Sequence, residues 1–178
     1  MSEITIEVPS RKVKAFLDGA TQMRVPVKRL PHPFQDHIDS GFREWVDMGH
    51  GWWGTCTVAH GHAFAAVQYD FLGAGLTLKS PFGKPGDTVK GIGKVKRVWI
   101  EKVDEISTAD CIAENIQPAT PSLSEDPWEY YSDTFESPFI EYWDKEYSDP
   151  SLPLDQEDPM LYEMGPWVWC AEFERTEP

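Results

Sequence analysis

The chain has 178 residues, 40% of them hydrophobic, which is enough for one compact domain with its own core. No run approaches the roughly 18 to 20 apolar residues of a membrane span, and the opening MSEITIEVPS lacks the basic and then apolar regions of a secretory signal, so a soluble cytoplasmic protein is expected. The net charge of -14 is uneven: residues 1–102 carry 14 Lys and Arg against 10 Asp and Glu, and residues 103–178 carry 2 against 20. Such an excess of acid opposes the long-range attraction on which non-specific binding of duplex DNA or long RNA rests, whereas a single base or nucleoside, with little charge, is compatible with it.

Ser10 can cap a helix over Arg11 to Asp18, in which Val13, Phe16 and Leu17 share a face and Gly19 supplies the stop. Ala20 to Arg29 reads as a basic loop. Beyond Pro31 and Pro33, Ile38, Phe42 and Trp45 keep helical spacing and suggest a weaker amphipathic helix. From Trp52 to Leu78 the pattern changes to β-branched, aromatic and small residues broken by glycines, the signature of strands joined by tight turns. Ser80 to Asp87 is turn-forming and leads to Val89, and Lys94 to Val103 is a long basic strand candidate.

Ser107 then caps a helix from Thr108 to about Asn115, with Asp110 completing a capping box and Ile106 and Cys111 forming a hydrophobic staple. Gln117 to Ser137, rich in Pro, Ser and acid, reads as a long surface loop or a partly disordered insert. Pro138 sits at the first position of a third helix, with Phe139, Trp143 and Tyr147 on one face. An acidic loop, Ser148 to Glu163, leads to a last strand, Trp167 to Glu174, where Trp167, Trp169, Ala171 and Phe173 share a face. Cys56, Cys111 and Cys170 are far apart, in no metal-ligand spacing, and fit a reducing compartment as core fillers.

Four segments in order carry a resemblance: Val13-Lys-Ala-Phe-Leu-Asp-Gly19 with Thr21-Gln22-Met23-Arg24 and Val27-Lys28; Pro81-Phe-Gly-Lys-Pro-Gly-Asp87; Val98 to Ile116, containing Asp104-Glu-Ile-Ser107 and Ala113-Glu-Asn115; and Phe139 to Asp144 followed by Pro166-Trp-Val-Trp-Cys-Ala-Glu-Phe173. Together they resemble the phage-type ASCH-domain proteins. The resemblance implies an α+β fold, a PUA-like small closed β-barrel with about three peripheral helices, built as one domain over 1–178 with variable inserts at 31–50 and 118–137 and an acidic loop at 148–163. It also implies a cleft between the barrel and the loop after the first helix, which in bacterial relatives holds an N4-acylated cytidine and removes the acyl group with a Lys, a Thr and a Glu.

Glu114 matches that family's Glu and is the candidate catalytic residue; Ala20 and Met23 occupy the Lys and Thr positions and can supply neither base nor nucleophile. Lys14 and Lys28 lie nearby. Thr21, Gln22, Arg24, Lys28 and Glu114 are the candidate ligand-binding residues, because amide and guanidinium groups present directional hydrogen bonds to the polar edge of a base. The expected partner is a nucleoside, nucleotide or modified base, with no cofactor and no metal: His60 and His62 share a strand face but lack a third ligand. Trp52 or Trp53 is the candidate for stacking on a base.

Two alternatives stay open. Glu125 to Glu163 holds 13 acids and one base, Lys145, interleaved with aromatics, a composition that can imitate nucleic acid or dock on a basic protein partner. The other is a divergent amidohydrolase on N4-acylated cytidine, or a ribonuclease, using Glu114 with a relocated base.

Overall fold

The computed structural model describes residues 3–6, 10–27, 43–57, 68–69, 77–118, 135–153 and 156–174, which form a mixed α+β fold. The strands are β1 (Glu3–Ile4), β2 (Gln22–Pro26), β3 (Arg43–Gly49), β4 (Trp52–Thr57), β5 (Gln68–Tyr69), β6 (Thr77–Lys79), β7 (Thr88–Val89), β8 (Gly93–Lys102) and β9 (Trp167–Glu174). The helices are α1 (Ser10–Leu17), α2 (Thr108–Ala113) and α3 (Glu136–Tyr147), with short 3-10 turns at Val103–Glu105 and Tyr162–Met164.

One sheet has the order β1-β7-β8-β9-β2, with β1 and β7 parallel and every other pair antiparallel. The second has the order β3-β4-β5, with β6 also paired to β4. Its β3-β4 hairpin turns through His50 and Gly51, both at positive φ, the backbone that a two-residue type I′ loop demands. Gly51 also packs so closely on the turn at Gly83 that a Cβ there would lie 2.8 Å from the Gly83 carbonyl oxygen. The two sheets meet through aromatic side chains: Trp53 stands edge-on to Trp169, and Trp45 edge-on to Trp167.

β9 is the spine of the core because it is covered on both faces. Trp169, Ala171 and Phe173 enter a cluster with Phe16, Met23, Phe82 and Val95, while Val168 and Cys170 enter a second cluster with Val103, Cys111, Phe139 and Trp143 under α2 and α3. That continuous burial explains its run of apolar residues.

Several expectations are corrected. The described strands make two open ladders packed on each other, and the anticipated closed barrel is not formed among the described residues. Ala20 to Arg29 is not simply a loop: Gln22 to Pro26 pair with Glu172 to Val168 as an edge strand, because Met23 and Val27 find apolar partners that the local sequence does not reveal. Trp45 lies in a strand rather than a helix, its hairpin overriding the helical spacing; Ile38 and Phe42 lie outside the described residues. Leu17 is 70% exposed, so the buried face of α1 runs through Lys12 and Phe16. The strand expected at Lys94 to Val103, the helix after Ser107 and the last strand form where expected. Among the described residues, no helix is long and apolar enough to cross a membrane.

Candidate functional site

The short helix α2 places the first side chain of the candidate site. Ser107 accepts from the Asp110 backbone N–H and Asp110 returns a bond to the Ser107 N–H, closing the capping box. The helix stops at a left-handed Asn115 (φ 60), with Ile116 N–H bonded to the Cys111 carbonyl at 2.9 Å and Asn115 N–H to that of Ile112 at 2.9 Å, a Schellman arrangement. Glu114 is therefore the C-cap of the helix and is 6% exposed. A carboxylate there faces the negative end of the helix dipole and needs a cation.

Arg24 supplies it from β2. Its guanidinium, 0% exposed, donates from Nη1 to Glu114 Oε1, from Nη2 and Nε to Glu101 Oε1 at 2.5 and 3.1 Å, and lies 3.4 Å from Asp110 Oδ2. Trp99 Nε1 donates to the second oxygen of Glu101. Burial works against the arginine charge, but Glu114 and Glu101 outweigh it and push its pKa upward. The fork of one guanidinium thus ties the end of α2 to strand β8.

Lys12, on α1, completes the buried charge cluster at 4% exposed. Its ammonium donates to the Arg24 carbonyl and lies 5.3 and 5.5 Å from the ring centroids of Tyr142 and Tyr147. The Tyr147 hydroxyl donates to the same carbonyl at 3.3 Å, so two side chains cover this backbone acceptor on the sheet edge. Burial pulls the Lys12 pKa below the usual lysine value, opposed by the nearby Glu114 carboxylate. Burial pushes both phenols up, so they remain protonated donors.

A cavity of about 350 Å³ opens between α1, the start of β2, the end of α2 and α3. Its polar lining includes Arg11, Lys12, Gln22, Glu114 and Lys145, beside the ring of Tyr142. The Oε1 atom of Gln22 is buried and has no hydrogen-bond partner among the described residues. That volume is in the range of small-ligand pockets, which span about 300 to 1,000 Å³.

No family model, curated protein or solved structure matches the chain.

Of the residues singled out from the sequence, Gln22 and Glu114 come together at this cavity. Arg24 stands behind Glu114, fully engaged with carboxylates, and is not among the lining residues. Thr21 is exposed and also outside the lining, its backbone N–H bonded to the Ala113 carbonyl at 2.7 Å. Lys28, His60 and His62 lie outside the described residues. Lys14 is exposed on α1, and Met23 and Ala20 are core residues. Trp53 fills the contact between the sheets; Trp52 is exposed beside Lys79, and neither lines the cavity.

Lys12 and Tyr142 escaped the sequence reading. The available signal was spacing, since Lys12 precedes Phe16 by one turn and Tyr142 follows Phe139 within α3, but a lysine on a short helix ordinarily reads as solvated. Several acids of the 125–163 stretch also serve the fold. Asp158 is buried and accepts from the N–H groups of Asp149 and Met160, Asp144 accepts from that of Tyr162, and Glu136 accepts from the Tyr162 hydroxyl.

Proposed function

We propose that this chain is an ASCH-type domain of the PUA-like class that binds a nucleobase or nucleoside carrying an exocyclic amine in the cavity beside Glu114. The observation that carries this reading is Gln22, which lines the same cavity as Glu114 and whose buried Oε1 has no hydrogen-bond partner among the described residues. A buried acceptor left without a donor destabilises a fold by about 1 to 3 kcal/mol, so a ligand N–H that fills it is favoured. Cytosine offers an exocyclic amino donor next to the N3 acceptor, matching the oxygens of Gln22 and Glu114 with the one and the Gln22 amide N–H with the other. The Tyr142 ring adds an apolar wall. The experiment is a thermal-shift screen of nucleosides, including cytidine and N4-acetylcytidine. Amine-bearing nucleosides are expected to raise the melting temperature and uridine to do so less; a flat response across the panel would overturn the reading.

A second reading is favoured by one specific observation, the placement of Lys12 in the same cavity as Glu114. Buried and lowered in pKa, an amine is a suitable base for water. In an N4-acylcytidine, water would add to the acyl carbon as Lys12 takes its proton, and the C–N bond would break as that proton passes to the departing amine. Release of acetate from N4-acetylcytidine, abolished in Lys12→Met, is the expected result. Binding without release in the unaltered protein would remove the hydrolytic reading and leave the binding one.

A further inference from the structure

The cavity is lined by exposed charged side chains as well as by the buried Lys12 and Glu114. Arg11 on α1 and Lys145 on α3 are both exposed and both line it, although the two helices are far apart in sequence. Lys145 is the one base among the 13 acids from Glu125 to Glu163. Neither cation forms an ion pair among the described residues, even though Glu141, which also lines the cavity, precedes Lys145 by one helical turn. Arg11 is held in place from below, its guanidinium carbon 4.5 Å from the Tyr142 ring centroid. Two cations without an ion-pair partner among the described residues thus meet at one opening of a chain whose net charge is -14.

We infer that Arg11 and Lys145 form a phosphate subsite, so that the ligand of this cavity is a nucleoside 5′-monophosphate with its base toward Gln22 and Glu114 and its phosphate at the mouth. This rests on the base-binding reading above and extends it to the charged end of the ligand. A stacked guanidinium presents its N–H fork at little entropic cost and suits a phosphate, while a lysine contributes a mobile point charge. One phosphate is attracted locally, whereas a strand of several meets the acidic remainder of the surface.

The test is calorimetric titration of the full chain with cytidine, cytidine 5′-monophosphate and a 5′-phosphorylated cytidine hexamer, at low and high salt, in the unaltered protein and in Arg11→Gln/Lys145→Gln. The monophosphate is expected to bind about tenfold more tightly than cytidine at low salt, consistent with one or two charge-assisted hydrogen bonds. That advantage should shrink in high salt and vanish in the double variant, so that the variant binds the monophosphate no more tightly than it binds cytidine. Both positions are exposed, and an unchanged melting temperature verifies that the variant folds; Lys145→Gln alone should lose part of the advantage. Equal or weaker binding of the monophosphate, with cytidine still bound, would overturn the subsite and leave the base reading intact. Tighter binding of the hexamer would overturn the mononucleotide as ligand, and no binding of any of the three would overturn both readings.

Discussion

Met23 and Arg24 are neighbours on β2 and almost equally inaccessible, at 1% and 0% exposed, yet they serve opposite sides of the same sheet. Met23 enters the apolar cluster with Phe16, Phe82 and Phe173, where edge-on ring contacts such as Phe16 with Phe173 fill space without fixed directions. Arg24 enters a cluster in which Glu101, Asp110 and Glu114 must each find a donor. The apolar side is held by volume and the polar side by balance of charge. A buried ion cluster is a weak route to stability compared with apolar packing, and residues of both clusters, Phe16 and Met23 on one side and Glu114 on the other, line the cavity.

The comparison is broken most directly at Arg24. Arg24→Met strands the buried Glu114 carboxylate and the partly buried Glu101 carboxylate and should lower the unfolding free energy by about 3 to 5 kcal/mol in urea titrations. A loss below about 1 kcal/mol would mean that the polar face is no more exacting than the apolar one. Met23→Ala should lose about 2 to 4 kcal/mol through the cavity it leaves, with little dependence on pH because nothing titratable is uncovered. Ser107→Ala removes the cap that fixes the start of α2 and should lose about 1 kcal/mol by the same measurement.

The smallest effect is on pH dependence and is carried by Lys12. Its pKa is lower in the fold than the usual 10.5, so above the folded value the unfolded chain binds more protons and stability rises with pH up to that usual value. Cys111 has the opposite sign: burial raises its pKa from 9.0 to about 11, so its contribution is lost as pH rises across that interval. Melting curves between pH 7 and 10 should therefore fall away more steeply with pH in Lys12→Met than in the unaltered protein. An identical slope would show that the lysine keeps an ordinary proton affinity.

The sequence was most legible where a local rule decides the outcome. The Ser107 and Asp110 capping box, the alternation from Trp167 to Phe173 and the turn from Pro81 to Asp87 each follow from the chemistry of neighbouring residues, and each forms. It was least legible where a distant partner decides. Nothing near Gln22 to Pro26 announces an edge strand, because its pairing depends on β9, which lies 148 residues later for the pair at positions 23 and 171, Met23 and Ala171. Trp45 kept a helical spacing that the two-residue turn at His50 and Gly51 overrules. At the site, Gln22 and Glu114 were recoverable from the ordered motifs, whereas Lys12 was not, since its burial depends on Tyr142 and Tyr147 arriving from α3.

Gln22 gives the most direct test of the account, because its two roles predict opposite changes. If its buried oxygen waits for a ligand, Gln22→Leu should leave the unliganded protein as stable as before or more so, since an unsatisfied acceptor is replaced by apolar surface. The same variant should abolish the calorimetric signal for cytidine. Loss of binding with stability kept or gained is the predicted result; cytidine binding that survives Gln22→Leu unchanged would contradict the assignment of this cavity as the base site.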